Sequence, residues 1–320
     1  MDRAKEVFLG IEIGGTKIQL CVADTEYNLL ECLSFLVGDS KQNSVILNGL
    51  QSRITTLVSK YPIKSIGVGF GGPVNCKTGE IYQSFHVQGW DGINLRKWIE
   101  DLTNIPTFID NDANIAALGE ATLGAGSKYR RVFYITLGSG VGGGFVIDGE
   151  LYHGKEPTEF EIGHIRLSKA GDILEASCSG WALNKKLEAY ISNNPSSILN
   201  QLTLTNKTDC NRNLMQSISN GDIGAKQLLD ETIDDLAFGL SHVIHLVNPE
   251  IIVIGGGLSN LGTYLTSALQ TVIPDYLMET MKGKLPSVRL TQLKEMVVPY
   301  GAVVHASKKE RQRTNSKKQN

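Results

Sequence analysis

Three glycine clusters carry the chemistry-bearing residues of this 320-residue chain. Gly14-Gly15 closes an apolar run and leads into Thr16 and Lys17, so one turn offers backbone N–H groups, a hydroxyl and a cation. Gly138-Ser139-Gly140 opens a second cluster that continues to Gly142-Gly143-Gly144, and Gly255-Gly256-Gly257 forms a third. Glycine removes the Cβ that keeps an anion away from backbone amides. Successive N–H groups in such a turn make a concave anion site. Two such turns could hold a triphosphate, and small residues where a strand feeds a helix leave space for a flat ring. A tight turn in a sheet accounts for any one cluster alone, but three at corresponding element ends favour a ligand. Gly138, Gly140 and Gly143 also satisfy G-x-G-x-x-G. A dinucleotide loop must open a helix, and the strand-like FVIDGELY that follows argues against one.

The candidate acid–base group is Asp112, at the junction of a short strand (TFID, 107–110) and a helix. It reads equally as a helix N-cap and as a general base at the carboxyl end of a buried strand. Asp110 and Asn111 could cap the same helix. Glu161 and His164 stand three apart on an irregular segment broken by Gly163, a pattern suited to hydroxyl recognition or to a salt-bridged loop. Glu175 begins the next helix, where its charge also suits the helix dipole.

The elements that must position these residues follow from periodicity. Residues 7–13 and 18–24 read as strand, glycine turn, strand. A third strand falls at 29–37, helices at 44–60, 94–103 and 113–123, and buried strands at 63–70 and 107–110. The stretch 132–148 repeats the glycine-turned hairpin. A helix near 173–192, a polar stretch at 193–220, a long helix near 222–247 and a strand at 251–254 follow. Both halves open alike, which reads as a weak internal duplication. The expected domains are 1–122 and 123–300, with a C-terminal helix from about 300 packing back on the first and a basic, frayed tail at 307–320.

GIEIGGTK, IDNDANIAALGE, LGSGVGGG, EIGH and PEIIVIGGGLS, in this order and spacing, resemble the ROK family of sugar kinases and sugar-responsive repressors. The likeness runs from about residue 8 to 306. It implies an α/β fold of two actin-like/hexokinase-like (ribonuclease H-like) ATPase domains with the active site in the cleft. It implies that Gly14, Gly15, Thr16 and Lys17, with Gly138, Ser139 and Gly140, cradle ATP phosphates, and that Gly255, Gly256 and Gly257 lie near adenosine. Asp112 would be the catalytic base, and Asn111, Asp112, Glu161, His164 and Glu175 would hold sugar hydroxyls. Family members are commonly dimers, so a homodimer is expected. The implied activity is ATP-dependent phosphorylation of a hexose, foremost glucose at its 6-hydroxyl. The alternatives are N-acetylmannosamine, N-acetylglucosamine or fructose kinases, a polyphosphate-using glucokinase and a non-catalytic sugar sensor.

Three departures from the family pattern stand out. Glu12 replaces an aspartate and would reach Mg²⁺ through water. Ile165–Leu174 lacks the cysteines of the family's zinc motif, and His164 alone cannot build a four-ligand site, so no structural zinc is expected. His86 stands where an asparagine is common. The phosphate strand begins by residue 7, so no DNA-binding helix-turn-helix of the repressor branch is expected.

Composition narrows the class further. Thirty-one basic against 33 acidic residues give a formal charge of -2, which excludes a strongly basic nucleic-acid binder. At 41% hydrophobic and 20% charged residues the chain is neither disordered nor a disulfide scaffold. No apolar run reaches the ~18 residues of a membrane span, and the N-terminus lacks a signal core. Five scattered cysteines (21, 32, 76, 178 and 210) read as reduced thiols in a cytoplasm.

Overall fold

The computed structural model describes residues 6–38, 42–84, 87–155 and 158–319, so His86 lies outside the described residues. In chain order the elements begin β1 (Val7–Ile13), β2 (Lys17–Asp24), β3 (Leu29–Leu36), α1 (Asn43–Lys60), β4 (Ile63–Phe70), α2 (Leu95–Thr103), β5 (Thr107–Asn111) and α3 (Asp112–Leu123). Next come β6 (Arg131–Leu137), β7 (Val141–Ile147), β8 (Glu150–Leu151), α4 (Leu174–Cys178), α5 (Gly180–Asn193), α6 (Ile198–Asn206) and α7 (Cys210–Ser219). The chain closes with α8 (Ile223–Val247), β9 (Ile251–Gly255), α9 (Thr263–Val272), β10 (Ser287–Leu290) and α10 (Val297–Gln319). Two compact units divide it: Met1–Arg130 with Gly144–Glu159 and Gln292–Asn320, and Arg131–Gly143 with Phe160–Thr291. The first unit thus takes in 144–159, which the expected boundary gave to the second domain.

The first unit is built on a sheet of order β3-β2-β1-β4-β5. β1 pairs antiparallel with β2 and parallel with β4, and β4 pairs parallel with β5. Successive side chains of a strand point to opposite faces, so β1 serves two cores. Val7, Leu9, Ile11 and Ile13 join Ile46, Leu50, Ile54 and Leu57 of α1 and Leu95 and Ile99 of α2. Phe8 packs with Val303 and Ala306 of α10 on the other face. That helix lies close because glycines face it: a Cβ on Gly67 would collide with the Ala302 carbonyl, and one on Gly301 with the Ile115 carbonyl of α3.

The second sheet has the order β10-β9-β6-β7-β8. In the second unit β9 pairs in parallel with both β6 and β10. Helix α8 closes that core with Leu229, Ile233, Leu236, Leu240 and Ile244.

Several expectations need correction. The helix expected near 173–192 is two helices, because Ser179 adopts an extended backbone and caps α5 through Ala182 N–H at 3.0 Å. The polar stretch 193–220 contains α6 and α7: α7 buries Cys210, Asn213, Leu214 and Ser217 at helical spacing and leaves its other polar residues outside. The tail expected to fray from 307 continues α10. Cys21 and Cys32 are register partners across β2 and β3, with Cα atoms 4.2 Å apart, and form a disulfide. The free cysteines are Cys76, Cys178 and Cys210 rather than all five. Among the described residues no helix is long and apolar enough to cross a membrane.

Candidate active site

In the first unit the turn after β1 and the start of α3 meet at Gly71. The Gly71 N–H donates to the Ile13 carbonyl at 2.9 Å. A Cβ at Gly71 would stand 3.4 Å from Asp112 Oδ2 and 3.7 Å from the Gly14 Cα. The Asp112 carboxylate therefore adjoins the first glycine turn. Asn111 is the N-cap of α3: its Oδ1 accepts from Ala113 N–H at 2.8 Å and Asn114 N–H at 3.3 Å, while its Nδ2 donates to the Gly72 carbonyl at 3.2 Å. Asp112 is the first helical residue, and its Oδ1 accepts from Ala113 N–H at 2.9 Å. Of the two readings open for this segment, capping thus belongs to Asn111.

Glu12 lies on β1 opposite Gln19 of β2, whose Nε2 donates to Glu12 Oε2 at 2.6 Å. Burial pushes the Glu12 carboxyl above its ordinary range, against the pull of the Gln19 hydrogen bond and the Lys17 charge. Lys17 itself lies 3.7 Å from Glu295 Oε2, an exposed pair worth little.

In the second unit the turn Gly138–Val141 holds Glu175 and adjoins Gly256. Val141 N–H donates to Glu175 Oε2 at 2.8 Å, and the same oxygen occupies the place of a Gly140 Cβ. Gly180 N–H, at the start of α5, donates to the Gly138 carbonyl at 2.8 Å. Gly163 sits against the Val141 carbonyl, which docks the 3-10 turn Ile162–His164 on the same strand. Glu161 precedes that turn half-buried, and His164 is exposed on it. Phe160 just before Glu161 holds φ +57°, a left-handed conformation that is strained for a bulky side chain. Gly256, at φ +76°, packs on the backbone of Leu137, the residue before Gly138. The second unit therefore brings Glu175 and Gly256 to the Gly138–Val141 turn, while Glu161 and His164 flank Gly163, whose backbone packs on Val141.

Neither Gly14, Gly15, Gly138 nor Gly140 uses a positive φ; of the three clusters only Gly256 does. A Cβ at Gly138 or Gly257 would meet nothing within 4 Å, so the backbone there is open. Glu175, expected to hold a sugar hydroxyl, spends one carboxylate oxygen on Val141 N–H.

The sequence reading missed a buried polar cluster behind Asn111. His153 Nε2 lies 2.7 Å from Asp110 Oδ2. Asp110 Oδ1 accepts from Asn111 N–H at 2.9 Å and from Asn114 Nδ2 at 3.0 Å. Burial would raise the Asp110 carboxyl, but the His153 hydrogen bond, the neighbouring imidazoles and the Asn114 amide outweigh it and hold it below the usual range. The same bond, with Cys76 beside it, lifts His153 to about 10. His305, driven by burial to about 4, is neutral at neutral pH. Asp110-Asn111-Asp112 was visible as excess capping chemistry; nothing local tied His153 to it.

Residues 8–309 match the ROK family. The chain is 27% identical to a glucokinase of Thermotoga maritima over 285 residues, 86% of this chain and 89% of that one. It is 29% identical to an N-acetyl-D-glucosamine kinase of Histophilus somni, covering 87% and 92%. A ROK glucokinase of Streptomyces griseus, solved with glucose and AMPPNP, superposes with a TM-score of 0.81 at 25% identity, covering 94% of this chain and 99% of that one.

Proposed function

The chain belongs to the ROK family, and from that premise we propose that it is an ATP- and Mg²⁺-dependent hexose kinase that phosphorylates glucose at its 6-hydroxyl. The observation that carries this reading is the Asp112 carboxylate beside the Gly14 turn, with helix capping delegated to Asn111. The likeness to kinases of glucose and N-acetyl-D-glucosamine supports the reaction class.

The residues present suit the nucleotide and the ion. The backbone is open at Gly138 and Gly257, and Glu12 is a partly buried carboxylate with a cation, Lys17, nearby. When bound, Mg·ATP supplies the phosphoryl group and neutralises part of its charge. Gly14, Gly15, Thr16 and Lys17, and separately Gly138, Ser139 and Gly140, would offer donors to phosphate oxygens. Gly255–Gly257 would leave room for adenosine, and Glu12 would hold a water of the ion.

Phosphoryl transfer passes through a loose transition state, so catalysis is mainly positioning and charge stabilisation. Asp112 orients the sugar hydroxyl and accepts its proton late, because an alcohol is a far weaker acid than a carboxylic acid. Asn111, Glu161 and His164 hold other hydroxyls, and Glu175 acts at least in part by fixing the 138–141 turn.

The test is ADP release with ATP and Mg²⁺ across glucose, mannose, fructose, N-acetylglucosamine and N-acetylmannosamine. The expected result is turnover with the highest kcat/KM for glucose. A preference for an N-acetylated sugar would move the substrate but keep the reaction. Calorimetric sugar binding without turnover would replace the kinase by a sensor.

A further inference from the structure

We propose that Cys76, Asp110 and His153 form a binding site for one divalent transition-metal ion, best suited to Zn²⁺. The Cys76 sulfur, an Asp110 carboxylate oxygen and a His153 ring nitrogen all lie within 4.8 Å of one another. Two ligand atoms about 2.0–2.3 Å from a tetrahedral zinc stand roughly 3.3–3.6 Å apart. The 2.7 Å between His153 Nε2 and Asp110 Oδ2 has only to widen slightly for an ion to replace the proton they share. Thiolate, imidazole and carboxylate together select a borderline metal over Mg²⁺ or Ca²⁺. Three protein ligands leave a fourth position for water. This site is separate from the 165–174 stretch, where the family resemblance raised and then removed the expectation of zinc.

Hydrogen bonds from the surroundings orient the donors, as such bonds orient metal ligands. Asp110 is 2% exposed and is oriented by Asn111 N–H and Asn114 Nδ2. The Asn114 amide cannot turn over, since its Nδ2 faces two carboxylates, those of Asp110 and Glu159. Cys76 lies in a turn braced by Asn75 Oδ1, which accepts from Lys77 and Thr78 N–H. Arg96 pins that turn by donating to the Cys76 and Lys77 carbonyls at 2.5 and 2.6 Å. A cavity of about 40 Å³ opens beside His153 and His305. A bound ion would clip the 71–81 loop and the stretch after β8 to β5, one residue before Asn111. The proposal does not depend on the kinase reading, and its test uses neither sugar nor ATP.

The test is titration of the reduced, chelator-stripped full chain with Co²⁺ as a spectroscopic probe. Expected are one Co²⁺ per chain, a thiolate-to-cobalt charge-transfer band and displacement by one equivalent of Zn²⁺. C76S should abolish the band, and C76S and H153Q should each weaken Co²⁺ binding at least about tenfold. A folded wild-type chain that binds no Co²⁺, or a band that persists unchanged in C76S, overturns the site. Should the variants fail to fold, Zn²⁺ protection of wild-type Cys76 from iodoacetamide, mapped by peptide mass, decides. Protection of Cys76 supports the site; alkylation at an unchanged rate overturns it.

Discussion

Glu161 and Glu175 stand in the second unit, and Glu175 reaches the turn that follows β6. Glu175 accepts Val141 N–H, so Glu175→Gln, which keeps an acceptor oxygen, should leave the KM for ATP within a few-fold. Glu175→Ala should loosen the glycine turn and raise that KM about tenfold, the effect of losing a hydrogen bond worth roughly 1.5 kcal/mol. Equal effects of the two variants on the sugar KM alone would return Glu175 to hydroxyl binding. Glu161→Ala should raise the sugar KM roughly 10- to 100-fold, from about 1.5–3 kcal/mol of charged hydrogen bonding, with the KM for ATP unchanged; steady-state kinetics in both substrates check this. The candidate residues were legible because their types are rare at such spacing. What a carboxylate does locally was not: choosing between Asn111 and Asp112 as cap depends on one side-chain rotation, and the partner of Asp110 lies 43 residues away.

At the scale of elements, close approach and capping decide stability. Gly301→Ala would push a methyl into the Ile115 carbonyl between α10 and α3. Backbone cannot yield as a side chain can, so at least about 2 kcal/mol should be lost, read as a lower urea midpoint. In the second unit Asp222 ties three helices together. Its Oδ1 caps α8 through Ala225 N–H and accepts from Tyr190 of α5, and its Oδ2 accepts from Leu199 N–H of α6. Burial would raise this carboxyl, but Tyr190 and the backbone N–H groups hold it below its ordinary range. A lowered carboxylate adds stability above the unfolded pKa of about 3.9, and that stability is lost as pH falls through the lower folded value. Asp222→Asn should therefore cost about 1–3 kcal/mol at pH 7, and the deficit should shrink at pH 3; urea unfolding at both values checks it. Strands and long helices were readable from apolar period. Helix α7 was hidden because its outer face is polar, and α6 because it buries only Leu199 fully. The Cys21–Cys32 pairing was hidden because it follows from the β2–β3 register, and cysteine spacing carries no information about where that hairpin turns.

Across the whole chain the two sheets share one plan. Read from the hairpin side, β3-β2-β1-β4-β5 and β8-β7-β6-β9-β10 have the same order. In each, glycines follow the central strand (β1 or β6) and its parallel neighbour (β4 or β9), at Gly14 and Gly71 and at Gly138 and Gly256. Carboxyl ends of parallel strands are where α/β proteins collect ligands, so the duplication visible in the sequence also located both candidate clusters. The reaction assigned to them depends on Asp112. The decisive measurement compares wild type with Asp112→Asn for kcat with ATP, Mg²⁺ and the preferred sugar, alongside calorimetric sugar binding. The expected result is a kcat lower by about 10²–10⁴-fold with a sugar Kd within a few-fold of wild type. A kcat that stays within a few-fold of wild type would contradict the account.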